Sequence, residues 1–180
     1  MRKLPNPKSE IRNRANIQNL ELRNLQRAVA VNVPLLRQMV QAFLAELPGA
    51  AEFNVAIHLV DTSEITRLNE TFLHHKGSTD VVTFDYGGER GFPALHGEIF
   101  VCLDEAFRQC RRFHTTWQSE LVRYIIHGVL HLCGFDDHRF AQRRRMKRVE
   151  SGFLRRLARD FDFKQLGPGT KRTRVKTPFK

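Results

Sequence analysis

Apolar residues recur along this chain with two different periods, and the switches between them outline a fold. Alternation in NIQNLELR, led by Ile17, Leu20 and Leu22, predicts a strand, and VPLLRQMVQAFLAEL has helical spacing that Pro48 and Gly49 end. The β-branched content of FNVAIHLVD predicts a second strand. Asp61 with Glu64 three residues later resembles a helix-capping pair, so a helix is expected over 62–73. VVTFDY and GEIFVCL predict two further strands around a Gly-rich loop at 87–97 containing Pro93, and a helix follows from about Asp104 to Arg112.

Thr115 and Gln118 form a second capping pattern, opening a helix through Leu121, Val122, Ile125, Ile126, Val129 and Leu130. This helix is apolar over most of its circumference, which predicts burial, and Gly134 supplies a left-handed cap where it stops. Over 140–161, Met146, Val149, Phe153, Leu154 and Leu157 make one apolar stripe on an otherwise arginine-rich helix. The expected class is α/β (α+β), a single compact domain with a small mixed sheet covered by helices. Its boundaries are set at 15–166, between basic, flexible tails at 1–14 and 167–180 whose composition lacks apolar periodicity.

Composition narrows the class. No apolar run approaches the roughly 18 residues that span a bilayer, and the first residues lack a signal-peptide core, so a cytoplasmic protein is expected. Cys102, Cys110 and Cys133 show no C-x-x-C spacing and are read as buried free thiols. Net charge is +11, and it is concentrated: residues 139–180 hold 15 of the 30 Lys and Arg but 3 of the 19 Asp and Glu. That asymmetry favours a polyanionic partner, because each neutralised phosphate releases counterions.

The chemistry gathers at one place. His127 and His131 lie four residues apart on the buried helix, so both rings leave the same face one turn apart and can chelate one cation. After Gly134, FDDH turns back with Asp136, Asp137 and His138, offering a third ligand. Two imidazoles suit Zn²⁺ better than Mg²⁺, and three protein ligands leave a position for water, whose pKa zinc lowers to about 7. Zinc peptidases built on H-E-x-x-H carry a glutamate base directly after the first histidine, whereas this chain has Gly128 there, which disfavours peptide hydrolysis.

HGVLHLCGFDDH resembles the H-G-x-L-H-L-x-G-[YF]-D-H signature of the YbeY-type endoribonucleases, the rRNA maturation factors of bacteria. LNETFLHHKGSTDVVTFDY and HGEIFVC are similar to two further stretches of that family, so the resemblance runs from about residue 20 to 160. It implies one zinc per chain held by three side chains, and cleavage of single-stranded RNA. It further implies a place in rRNA processing, at the 16S rRNA 3′ end, and in ribosome quality control with the small subunit as partner. Two positions depart from the pattern. The family's third histidine falls six residues after the second, which here is Asp137, with His138 one further on. Either can ligate; imidazole is the commoner zinc donor, which tips the choice to His138 and leaves Asp137 to support it. Leu73 stands where many relatives carry an arginine, so no phosphate contact carries over there, and His74, His75 or Lys76 are the substitutes at hand.

Further RNA contacts are expected from Lys76 and from Arg143, Arg144 and Arg145, with Lys147 and Arg148 continuing the basic stripe. Asp80 and Glu98 are assigned either to the cleft or to turn and capping duty, while His58, His114 and Trp117 are assigned structural roles. The expected function is a zinc-dependent endoribonuclease acting on single-stranded rRNA. The alternatives are a zinc peptidase and a non-catalytic ribosome-binding protein with a structural zinc.

Overall fold

The computed structural model describes residues 17–87 and 95–168. Strand β1 (Gln18–Asn24) leads to helix α1 (Val33–Glu46), then β2 (Phe53–Val60), α2 (Thr62–Phe72), β3 (Val81–Asp85) and β4 (Leu95–Cys102). Three helices complete the chain, α3 (Leu103–Phe113), α4 (Trp117–Leu132) and α5 (Phe140–Asp160), before a 3₁₀ turn at Phe163–Leu166. Residues 1–14 and most of the segment 167–180 read as tails, together with most of the Gly-rich loop and its Pro93, lie outside the described residues. Among the described residues no helix is long and apolar enough to cross a membrane.

The four strands form one mixed sheet in the order β1-β2-β4-β3, parallel except for the β3 and β4 pair. Alternation sorts its two faces. Val55, Ile57, Leu59, Ile99 and Val101 pack into the main core with α1, α4 and α5, while Val82, Phe84, Phe100 and Cys102 turn the other way onto Ile65 and Leu68 of α2. Helices therefore cover both faces, and α4 lies inside the thicker layer.

Local signals set the helix ends. The Asp61 side chain accepts from the Glu64 backbone N–H at 2.9 Å, as the sequence leads one to expect. The cap of α4 sits one residue later than its sequence pattern suggests. Thr116 accepts from the Ser119 N–H at 3.2 Å, and Thr115 instead donates its hydroxyl proton to Glu120 Oε1 at 2.6 Å. The thiol reading also needs correction, since Cys102 is buried but Cys110 only partly so, and Cys133 is exposed at the end of α4.

Two glycines let α4 sit close to the sheet. A Cβ on Gly128 would lie 2.6 Å from Ile99 Cγ2, and one on Gly97 would lie 2.3 Å from the Phe84 carbonyl oxygen and 2.6 Å from Leu132 Cδ2. Ile99 is fully buried and β-branched, so it has little room to yield. Gly128→Ala is accordingly expected to lower stability by about 1–3 kcal/mol through overpacking, against the gain in helix propensity. Chemical denaturation checks this, and a variant as stable as the parent would mean that α4 is not seated where the structure puts it.

Candidate metal centre

From Glu120 to Leu132 every residue of α4 is buried except Arg123, His127 and His131. Their spacing of four makes them one stripe, the half-buried face of the helix, which meets Glu150 of α5 on one side and opens to solvent on the other. The backbone then reverses tightly. The Phe135 N–H reaches the Leu130 carbonyl at 3.0 Å and the Gly134 N–H reaches that of His131 at 2.8 Å, a Schellman closure with Gly134 at φ 77°. This reversal brings Asp137 back over the first turn of the histidine pair.

His127 Nε2 lies 3.1 Å from His131 Nε2 and 3.9 Å from Asp137 Oδ2. Ligand atoms of these three residues all fall within 4.8 Å of one another. The remaining ring nitrogens face acceptors: His127 Nδ1 is 3.2 Å from Glu150 Oε2, and His131 Nδ1 is 3.0 Å from the Phe135 carbonyl oxygen. A carboxylate and a carbonyl can only accept, so both Nδ1 atoms carry hydrogens and both Nε2 lone pairs point at each other. Two lone pairs at that distance require a cation between them, either a proton or a metal. The donor set fits a divalent ion of borderline softness, two imidazoles and one carboxylate, each imidazole oriented by a partner behind it.

Electrostatics agree with that geometry. Burial opposes the charged form of His127, but the bond from Glu150 and its negative charge outweigh burial and raise its pKa. Burial and then the neighbouring His127 push His131 down. Glu150 stays ionised despite burial, held down by its bonds with His127 and Arg123. Arg123 also reaches Glu120 at 3.3 Å and Glu150 at 2.8 Å, so it is a clamp between α4 and α5.

The structure places His138 away from the cluster. Its side chain is 86% exposed, with Nε2 3.8 Å from Asp136 Oδ1, and its backbone N–H donates to the same oxygen at 3.0 Å. Asp136 thus makes a turn on its own backbone, and of the next two side chains it is Asp137 that reaches His127. Asp137, rather than His138, joins the two histidines, and Asp136, Asp137 and His138 make a second, more exposed grouping.

His127 and Asp137 open onto a cleft of about 740 Å³ between the end of α3, α4 and the first half of α5. Arg112, Arg143 and Lys147 line it and enter no ion pair among the described residues. Of the other basic residues singled out from sequence, Arg145 stacks over the Phe135 ring at 5.3 Å beside a separate small hollow, and Arg144 and Lys76 do not line the cleft. Asp80 does line it, while its carboxylate also accepts from the Val81 N–H at 3.0 Å. Glu98 points to the opposite face, where it stands 3.7 Å from the buried His58. Trp117 packs on Phe107, with ring centroids 5.1 Å apart, and His114 ends α3 in the left-handed conformation at φ 54°. Leu73 caps α2 and is exposed.

Sequence reasoning missed Glu150, although a signal was present. It is the one acidic residue from 139 to 159, and it falls in step with the apolar stripe of Met146, Phe153 and Leu157. A carboxylate on the buried face of an arginine-rich helix calls for a buried partner.

Residues 17–158 match the family model described as endoribonuclease YbeY. Curated relatives named endoribonuclease YbeY include one from Chlorobium luteolum, 42% identical over 52% of this chain and 66% of its own length. One from Anaeromyxobacter is 38% identical over 67% of this chain and 62% of its own length. The matches thus span just under two thirds of those two relatives. A third, from Chlorobium phaeovibrioides, is 39% identical over 68% of this chain and 80% of its own length. The fold resembles the solution structure of TM1509 from Thermotoga maritima, with a TM-score of 0.57 at 25% identity, over 84% of this chain and 99% of that one.

Proposed function

This chain belongs to the endoribonuclease YbeY family, and on that premise we propose that it is a zinc-dependent endoribonuclease of single-stranded RNA, with His127, His131 and Asp137 as the metal ligands. The observation that carries the reading is the pair of converging Nε2 atoms, each ring backed by an acceptor, at the wall of a cleft that Arg112, Arg143 and Lys147 line together with Asp80. When bound there, zinc would polarise a phosphodiester and lower the pKa of water. The chain's own part is positional. Glu150 and the Phe135 carbonyl hold the two rings in one tautomer, and the Arg123 clamp keeps Glu150 in register with α4. Arg112, Arg143 and Lys147 supply charge for the phosphates on either side of the scissile bond.

A peptidase mechanism has less support. Position 128 faces the sheet, so a glutamate there would meet Ile99 rather than the cleft. Within the family reading, the substrate is rRNA on the small subunit, at the 16S 3′ end, and the setting is rRNA maturation and ribosome quality control in the cytoplasm.

The purified chain is expected to cut a single-stranded oligoribonucleotide, to spare the matching duplex and casein, and to lose activity to a chelator and regain it with zinc. Cleavage of casein, or of RNA with chelator present, overturns the assignment. Arg143→Ser and Lys147→Ser should each weaken RNA binding and flatten the dependence of log affinity on log salt by about 0.7 for each phosphate no longer neutralised. An unchanged slope in both would take the cations of α5 out of the substrate path.

A further inference from the structure

The cleft has a second end that metal ligation leaves unexplained. On α3, Gln109 and Phe113 are four residues apart and face the cleft together, and across it on α4 stands Tyr124, one turn before His127. Phe113 is 59% exposed on the wall, and the Arg112 guanidinium sits over one side of its ring, 5.4 Å from the centroid. The same wall holds two buried polar atoms that have no hydrogen-bond partner among the described residues, Gln109 Oε1 and the Tyr124 hydroxyl. Tyr124 is only 4% exposed, so no bulk water satisfies that hydroxyl. A buried phenol and a buried amide oxygen without partners are unfavourable in the free protein, and an occupant able to both donate and accept would relieve them.

We propose that this end of the cleft is a nucleobase subsite, in which one unpaired base stacks on Phe113 and presents its edge to Gln109 and Tyr124 while its strand continues to His127. The proposal rests on the nuclease reading and deepens it by stating how a single strand is told from a duplex. An aromatic face accepts a base only when that base is unstacked and unpaired, and base edges carry the mixed donors and acceptors that Gln109 and Tyr124 lack. Side-chain rotation on binding, common at such sites, suffices to bring the two buried polar atoms to the base. Arg112 at this end and Lys147 on the facing helix leave charge for the adjoining phosphates. A protein side chain could use the same aromatic face, but Arg112 beside it and Lys147 on the facing helix favour a polyanion.

The test is a cycle between side chain and base. The affinity of the full chain is measured, with chelator present to hold off cleavage, for a single-stranded octaribonucleotide and for versions lacking one base at each position in turn. The wild type should lose affinity on the order of ten-fold when the base at one particular position is missing. Phe113→Ala should bind the intact strand about ten-fold more weakly, show no further loss at that position, and be rescued by Phe113→Trp. Because Phe113 is exposed, the substitution leaves the core untouched. Losses that simply add at every position, or a Phe113→Ala protein that binds like the wild type, overturn the subsite while the nuclease reading stands. A wild type that neither binds nor cuts single-stranded RNA removes that reading, and the subsite falls with it.

Discussion

Asp137→Ala is expected to lower zinc affinity by more than about 100-fold and to abolish RNA cleavage, whereas His138→Ala leaves both close to wild type. The contrast follows from the bend after Gly134. Asp137 Oδ2 lies 3.9 Å from His127 Nε2, within reach of an ion that both could ligate, while the His138 ring stands in solvent beside Asp136. Loss of a supporting partner typically costs about 10- to 100-fold in metal affinity, so loss of one of three direct ligands should exceed that range. Zinc titration of both variants, with His127→Ala as the reference for a destroyed site, measures the order directly. If His138→Ala proved the more damaging, the turn would have to rearrange on metal binding and imidazole preference would outweigh the geometry. Neither substitution disturbs the core, since both side chains lie on the surface turn.

Glu150→Gln should weaken zinc binding about 10- to 100-fold and also lower stability by roughly 1–3 kcal/mol. Glu150 accepts from two donors at once, Arg123 Nη1 at 2.8 Å through one oxygen and His127 Nδ1 through the other at 3.2 Å. A glutamine offers one oxygen and one NH₂, so whichever way it turns, a donor faces a donor. If the amide nitrogen meets His127, the ring loses its orienting acceptor; if it meets Arg123, the clamp between α4 and α5 loosens. Excess zinc should restore much of the cleavage rate, which separates weaker loading from a damaged reaction. A variant with unchanged zinc affinity would reduce Glu150 to a purely structural ion pair.

Features that arise within a few residues of chain could be read without coordinates. The strands and helices are legible because alternation and helical periodicity depend on the chain's own spacing, and His127 and His131 are legible because four residues on a helix always return to one face. Gly134 announces the reversal for the same reason, its positive φ being costly for other residues. The third ligand was not settled in this way. Asp137 and His138 are neighbours with comparable claims by chemistry, and the choice between them depends on the direction of each side chain in a bend closed by Asp136. Glu150 is 23 residues from His127, and only the packing of α5 against α4 joins them. The cleft is likewise a product of three helices, which is why Arg112, outside the basic C-terminal segment, lines it and Arg144, inside that segment, does not. Charge composition names a class of partner, but solvent and packing decide which cations remain unpaired and where they face.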